Sequence, residues 1–184
     1  MLRKLGSFFL DITEVVVFAI AIFLFVYLLV LQPHKIKGDS MRPNFQDGEF
    51  LLADKITYRF HEPKRGDVIV FQAPLSPDEE YIKRIIGLPG EKVTIKEGKV
   101  FIDGKVLNEP YIPKSFYTGG GMFAKEGLEL IIPSNHYFVL GDNRPASSDS
   151  RAWGFVSKKS ITGRAWIIYW PPEKAGFVEK TEYQ

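Results

Sequence analysis

Residues 15–31 (VVVFAIAIFLFVYLLVL) are 17 consecutive uncharged residues. Such a run is apolar on every side of a helix, and a surface helix of a water-soluble domain keeps a polar face. As a helix it rises about 25 Å, slightly short of the roughly 30 Å hydrocarbon core of a bilayer. Phe8, Phe9, Leu10 and Ile12 extend it toward the N-terminus and place Asp11 and Glu14 near the headgroups. A cleavable leader needs small residues after the apolar run, whereas Gln32, Pro33, His34 and Lys35 follow here. The expectation is an uncleaved anchor over 8–32, preceded by a short tail, 1–7. Arg3 and Lys4 flank one end and Lys35, Lys37 and Arg42 the other, so charge alone does not orient the span.

The remaining chain, 33–184, has strand patterns and almost no helical period. Residues 49–53 (EFLLA), 68–71 (VIVF), 81–86 (YIKRII), 136–140 (HYFVL) and 164–170 (RAWIIYW) are short, rich in β-branched or aromatic residues, and bounded by Gly, Pro or Asp. KVTIKEGKVFIDGKVL reads as three strands turning at Glu97-Gly98 and Asp103-Gly104. Residues 115–125, with three consecutive glycines, have neither period and read as a loop. The expected fold is mainly β, a folded antiparallel sheet or barrel-like domain with one N-terminal transmembrane helix.

Composition removes several kinds of chemistry. Lys and Arg number 24 against 22 Asp and Glu, which is no basic field for nucleic acid. There is no cysteine, hence no disulfide, thiolate metal site or cysteine nucleophile. His34, His61 and His136 have no metal-ligand spacing, and no GxSxG elbow accompanies them, although a Ser-His-Asp triad stays open. Within 81–86, alternation places Lys83 with Tyr81 and Ile85 on one face and Arg84 with Ile82 and Ile86 on the other. Such cations ordinarily snorkel to water. If instead the segment is buried, a lysine can lose its proton and serve as a base, while a guanidinium cannot. Ser40, in the turn-like Gly38-Asp39-Ser40-Met41-Arg42-Pro43, is a nucleophile such a lysine could activate, although alone it reads as an ordinary loop serine.

In combination these segments resemble the type I signal peptidases, membrane-anchored Ser/Lys proteases of bacterial export. Four blocks match in order after the anchor: the Gly38 to Pro43 stretch with Asp47-Gly48-Glu49, KRGDVIVF over 64–71, YIKRIIGLPGE over 81–91, and Gly141-Asp142-Asn143-Arg144 through Ser147, Asp149, Ser150 and Arg151. The resemblance spans roughly residues 8 to 170.

The resemblance implies that Ser40 attacks the scissile carbonyl and Lys83 is the general base, a variant of triad logic. Ser147 is similar to a serine that orients the lysine ammonium, while Asp142, Arg144, Asp149 and Arg151, and with them Arg84, hold the site together. Ile36, Met41, Tyr81 and Ile82 match or adjoin positions lining shallow substrate pockets. The substrates implied are secretory preproteins whose signal peptide ends in small residues, as in Ala-x-Ala. No cofactor or metal is implied. The 33–184 unit would be the catalytic domain on the extracytoplasmic side of the cytoplasmic (inner) membrane, with the lipid bilayer as a partner. Trp153, Trp166 or Trp170 could touch the lipid interface or pack in the core.

Three positions depart from the family pattern. Gly38 replaces a hydroxyl that serves some members as a second oxyanion donor beside the Ser40 N–H. Asn44 stands where Thr is usual, and Asp39 where a small residue is common. An ionised Asp39 beside the nucleophile would oppose oxyanion formation and raise the pKa of Lys83. Two rival readings are a catalytically inactive membrane-tethered β module that binds extended peptides at a sheet edge, and a self-cleaving repressor-type protease. The latter expects a DNA-binding segment where this chain has its apolar run.

Overall fold

The structure, a computed structural model, describes residues 2–181 and 183. Met1 of the expected tail, and Glu182 and Gln184 of the expected catalytic unit, lie outside the described residues. Helix α1 (Leu2–Leu29) carries the apolar run. Its segment Phe8–Tyr27 has a mean hydropathy of 2.5, is not buried in the rest of the protein, and is long enough to cross a bilayer.

The helix ends before the expected anchor boundary, because Leu31 and Gln32 already belong to strand β1 (Leu31–Lys35). Pro33 lacks the N–H a helix would need and crowds the preceding turn. It is tolerated in β1 because that strand lies at the sheet edge. β1 pairs with β2 (Phe50–Asp54) from Leu31 opposite Asp54 to Lys35 opposite Phe50. Sheet and helix are thus joined without a linker.

The other strands are β3 (Val68–Ala73), β4 (Ser76–Gly87), β5 (Lys92–Lys96), β6 (Lys99–Ile102), β7 (Lys105–Val106), β8 (Glu129–Ile131), β9 (His136–Leu140), β10 (Val156–Ser157), β11 (Ile161–Trp170) and β12 (Gly176–Phe177). The large sheet runs β1-β2-β11-β3-β4-β9-β10, with β12 beside β11, and a smaller sheet runs β7-β6-β5-β8. Every pairing is antiparallel. The architecture is therefore mainly β with one N-terminal apolar helix. The β5–β6–β7 meander turns where Glu97 and Gly98 take φ 53° and 76° and Asp103 and Gly104 take 49° and 77°. Two successive positive φ values give the turn twist that matches paired strands, which is why glycine stands second in each.

Three apolar clusters fill the interior, and their division explains the site. Val68 and Val70 of β3 face one cluster with Ile36, Met41 and Leu51, while Ile69 and Phe71 face another with Ile85, Tyr137 and Val139. Strand β3 is covered on both sides, and the end of β4 from Lys83 to Gly87 is buried in the same way. The third cluster joins the sheets through Ile86, Phe138 and Leu140 against Val93, Ile95 and Val100. Phe138→Ala should therefore lower stability by about 3–5 kcal/mol, read by urea unfolding in detergent. A loss under ~1 kcal/mol would show that the two sheets do not share this core.

Candidate active site

Strand alternation sends Lys83 and Arg84 to opposite faces of β4, and because both faces are covered, both cations are removed from water. Lys83 is 5 % exposed and Arg84 3 %. Their solutions differ. Arg84 meets Asp142 through two parallel hydrogen bonds, Nε to Oδ1 at 2.8 Å and Nη2 to Oδ2 at 2.6 Å. Its guanidinium also lies 4.1 Å above the Tyr111 ring and donates to the Gly66 carbonyl at 3.0 Å. Lys83 has no such carboxylate. Its Nζ donates to Ser40 Oγ at 2.8 Å and to the Ile82 carbonyl at 3.0 Å. Burial pushes the Lys83 ammonium down to about 8, with Asp149 and Asp142 pulling the other way from a distance.

Ser40 is delivered by a turn that leaves β1. Gly38 has φ +82°, a left-handed conformation that side-chain-bearing residues rarely adopt, and its N–H donates to Asp47 Oδ1 at 2.7 Å. The position without a hydroxyl is thus one whose backbone favours glycine. The Ile36 N–H donates to the Glu49 carbonyl and the Gly48 N–H to the Ile36 carbonyl, closing the loop base. Met41 and Phe45 then plug the loop into the core at 1 % and 2 % exposure. Asp39 turns its carboxylate to Arg42 Nε at 2.9 Å on the exposed surface. The expected rise in the Lys83 pKa from Asp39 is not the net outcome, because burial dominates and carries it below the ordinary lysine value of 10.5.

The segment after β9 closes the site from the other side. The Asn143 N–H donates to the Ser40 carbonyl at 3.0 Å, and Asn143 Nδ2 to the Asp39 carbonyl at 3.0 Å. A Cβ on Gly141 would fall 2.5 Å from the Ser40 carbonyl oxygen, so only glycine allows this approach. Asp149 receives Arg151 Nε at 2.7 Å and Nη2 at 2.8 Å, and its Oδ2 accepts the Gly141 N–H at 3.1 Å. Arg151 Nη2 also donates to the Arg144 carbonyl at 2.7 Å. Arg144, itself 1 % exposed, pairs with Glu109 and donates to Thr118 Oγ1 at 2.7 Å. Ser147 Oγ is buried without a hydrogen-bond partner, so the bond to Lys83 that the resemblance implies is not made in this arrangement. The ammonium instead donates to the Ile82 carbonyl.

A cleft of about 550 Å³ opens beside the pair, between β1 and β4, and Ile36, Ser40, Tyr81, Ile82 and Lys83 are among its walls. Met41, expected with them, does not line it, because its side chain fills the core beneath the loop. His34 also lines this cleft, its Nδ1 3.1 Å from Glu80, and burial lowers its pKa against the pull of that carboxylate. His61 and His136 do not line the cleft, and among the described residues Ser40 Oγ is hydrogen-bonded to Lys83 and to no histidine. Asn44, Glu109 and Tyr111 are contributors that motif reading missed. Asn44 Nδ2 donates to Asp142 Oδ2 at 2.8 Å and to the Tyr111 carbonyl at 2.9 Å. Asn44 is legible only as a departure at its position, and Glu109 and Tyr111 sit in an irregular stretch with no local pattern. Among the described residues no group of three or more His, Asp or Glu is arranged to hold a metal ion.

The arrangement can transfer a proton from a serine hydroxyl to a lysine that is uncharged in a substantial fraction of molecules near pH 8. The same burial has a sign for stability. The folded state holds Lys83 at about 8 and the unfolded chain near 10.5, so the unfolded chain binds more protons between those values. Stability contributed by Lys83 is therefore full above the unfolded value and is lost as pH falls through about 8. Lys83→Met should remove a rise of roughly 3 kcal/mol between pH 8 and 10.5, read as the difference between the two proteins' pH–stability curves. Parallel curves would mean that Lys83 is solvated.

A family described as signal peptidase, peptidase S26, matches residues 9–170. A probable signal peptidase I-2 of Synechocystis sp. is 34 % identical over 176 residues, covering 92 % of this chain and 77 % of that protein. Signal peptidase IB of Staphylococcus aureus is 34 % identical over 164 residues, covering 83 % and 85 %. A crystal structure of a signal peptidase I from Enterococcus faecalis, 34 % identical, superposes with a TM-score of 0.47 over 56 % of this chain and 97 % of that one. With the family match running from the apolar helix through β11 and taking in both Ser40 and Lys83, the chain belongs to the signal peptidase family, peptidase S26.

Proposed function

We propose that this signal peptidase cuts by a Ser40/Lys83 dyad, and the observation that carries this is the 2.8 Å contact between Ser40 Oγ and a lysine that burial has moved down to about 8. Uncharged Lys83 takes the hydroxyl proton as Oγ forms a bond to the scissile carbonyl carbon. The Ser40 N–H stabilises the oxyanion of the tetrahedral intermediate. Collapse of that intermediate breaks the C–N bond, and the Lys83 ammonium passes its proton to the leaving amine. Water, deprotonated by Lys83, then hydrolyses the acyl-enzyme and returns Ser40. Ammonium has three donors, of which two are engaged in the resting site. We assign the third to Ser147, whose hydroxyl is buried and unpartnered. Arg84, Asp142, Arg144, Asp149 and Arg151 serve as supporting residues that hold the two loops against β4.

The substrate on this reading is the region of a secretory preprotein around the end of its signal peptide, bound extended in the cleft between β1 and β4. Ile36, Tyr81 and Ile82 would shape shallow apolar subsites that accept small side chains, as in Ala-x-Ala. Helix α1 anchors the enzyme in the cytoplasmic membrane, with 33–184 as the catalytic unit outside. The direct passage from α1 into β1 supports a cleft held near the membrane surface. Trp170, at 54 % exposure, is the tryptophan best placed for the lipid interface. Trp153 packs against Phe71 in the core and Trp166 against Phe177.

The test is cleavage of a preprotein carrying an Ala-x-Ala site, in liposomes, with the cut located by mass spectrometry. Wild type should cut after the second alanine, with kcat/KM rising through an apparent pKa of about 8. Ser40→Ala and Lys83→Ala should each lose more than about 10³-fold while keeping the wild-type circular dichroism. Undiminished cutting by Lys83→Ala would sink the dyad. Binding without cutting by wild type would favour a peptide-binding module.

A further inference from the structure

Catalysis on the reading above needs one backbone N–H aimed at the place where negative charge develops, and Gly38 supplies no side-chain hydroxyl to share that work. The orientation of this N–H is a property of the Asp39–Ser40 peptide. That unit is planar, and it is not among the cis bonds of the chain. In a planar trans peptide the C=O and N–H point in opposite directions, so whatever holds the Asp39 carbonyl also sets the direction of the Ser40 N–H. Asn143 Nδ2 holds that carbonyl at 3.0 Å, on the side away from the N–H. The main-chain N–H of the same residue holds the Ser40 carbonyl at 3.0 Å, which pins the next peptide as well. Both planes flanking the Ser40 Cα are thus tied to one residue.

The turn's own restraint is weaker, because among the described residues the Asp39 carbonyl accepts only one other hydrogen bond, from the Arg42 N–H at 3.2 Å. Among those residues the Ser40 N–H donates to nothing, which leaves it free for a ligand. Asn143 is in turn fixed by its neighbours: Asp142 is locked to Arg84, and the Gly141 N–H is held by Asp149. A rigid platform therefore stands behind the side chain that grips the peptide.

We propose that Asn143 is a positioning residue of the oxyanion site, acting by gripping the Asp39 carbonyl so that the Ser40 N–H faces the tetrahedral oxygen. This rests on Ser40 being the nucleophile. Asn143 makes no hydrogen bond to Lys83, so its removal should act on the transition state alone and leave the base as it was.

The experiment uses the full-length enzyme in liposomes with Asn143→Ala and Asn143→Leu, the second keeping the side-chain volume if the first does not fold. Expected is a fall in kcat of roughly 10- to 100-fold in either variant, within the loss caused by removing an oxyanion donor. KM should stay within about twofold, and the acidic limb of the pH profile should stay where it is in wild type. A limb displaced along with the rate would place the effect on Lys83 and overturn the proposal. So would a kcat within about threefold of wild type, or a rate loss matched by a lowered melting temperature in both variants. Ser40→Ala run alongside separates the two layers. If it still cuts, the nucleophile assignment fails; if it is dead while Asn143→Leu is fully active, the assignment stands and this inference alone fails.

Discussion

Asp142 holds Arg84 with both carboxylate oxygens in a place where neither side chain is more than 3 % exposed, and the same carboxylate accepts Asn44 at 2.8 Å. Three remote stretches meet there: the loop that carries Ser40, the strand that carries Lys83, and the turn that carries Asn143 and Ser147. A buried ion pair contributes little net stability against an apolar replacement, since desolvating both charges offsets most of their attraction. Its parallel two-bond geometry does, however, accept only one relative placement of the partners. Arg84 lies next to Lys83 in the chain, and Asp142 lies next to Asn143. Fixing the first pair therefore fixes the second, at the scale of a hydrogen bond.

Burial on both faces of β4 takes two neighbouring cations out of water, and on the proposed function one then serves as a scaffold and the other as the base. A guanidinium keeps its proton under any burial, so Arg84 must be given a carboxylate, an aromatic face and carbonyls. An amine can answer the same environment by losing its charge. Lys83 receives a hydroxyl and one carbonyl, and Asp149 and Asp142 act on it only from a distance. A carboxylate placed directly on Lys83 would have kept the amine protonated. Spending the available carboxylates on Arg84 and Arg151 leaves the lysine able to titrate near neutrality.

Much of this was legible in the chain. The apolar run, the strands at 68–71, 81–86 and 136–140, and the two turns of the meander stand where pattern and turn chemistry put them, because each is decided by neighbours within a few residues. The Ser40 and Lys83 blocks were readable as a combination of motifs. Less legible were β1, masked by the tail of the apolar run, and β8, β10 and β12, which have three or fewer residues and exist only through their partners. Met41 shows the limit at single-residue scale. An apolar residue beside a candidate nucleophile is equally suited to a pocket or to the core, and the packing beneath the loop sent it to the core.

By itself the sequence determined the class of the molecule: an apolar helix, a β-rich remainder, and a serine and a lysine in blocks whose order implies their chemistry. The first two are properties of composition and period, which a linear string carries in full, and the last is what the resemblance to a known family implies. Only the tertiary structure decided that Lys83 is desolvated, that Asp39 faces Arg42 instead of the amine, and that Glu109 pairs with Arg144. The exposed Asp39–Arg42 pair is three residues apart and depends on how the turn folds, while the other two depend on what covers a side chain from another part of the chain. Burial and charge pairing are set by residues 35 to 58 positions away, as with Glu109 and Arg144 or Arg84 and Asp142, and no local pattern records them.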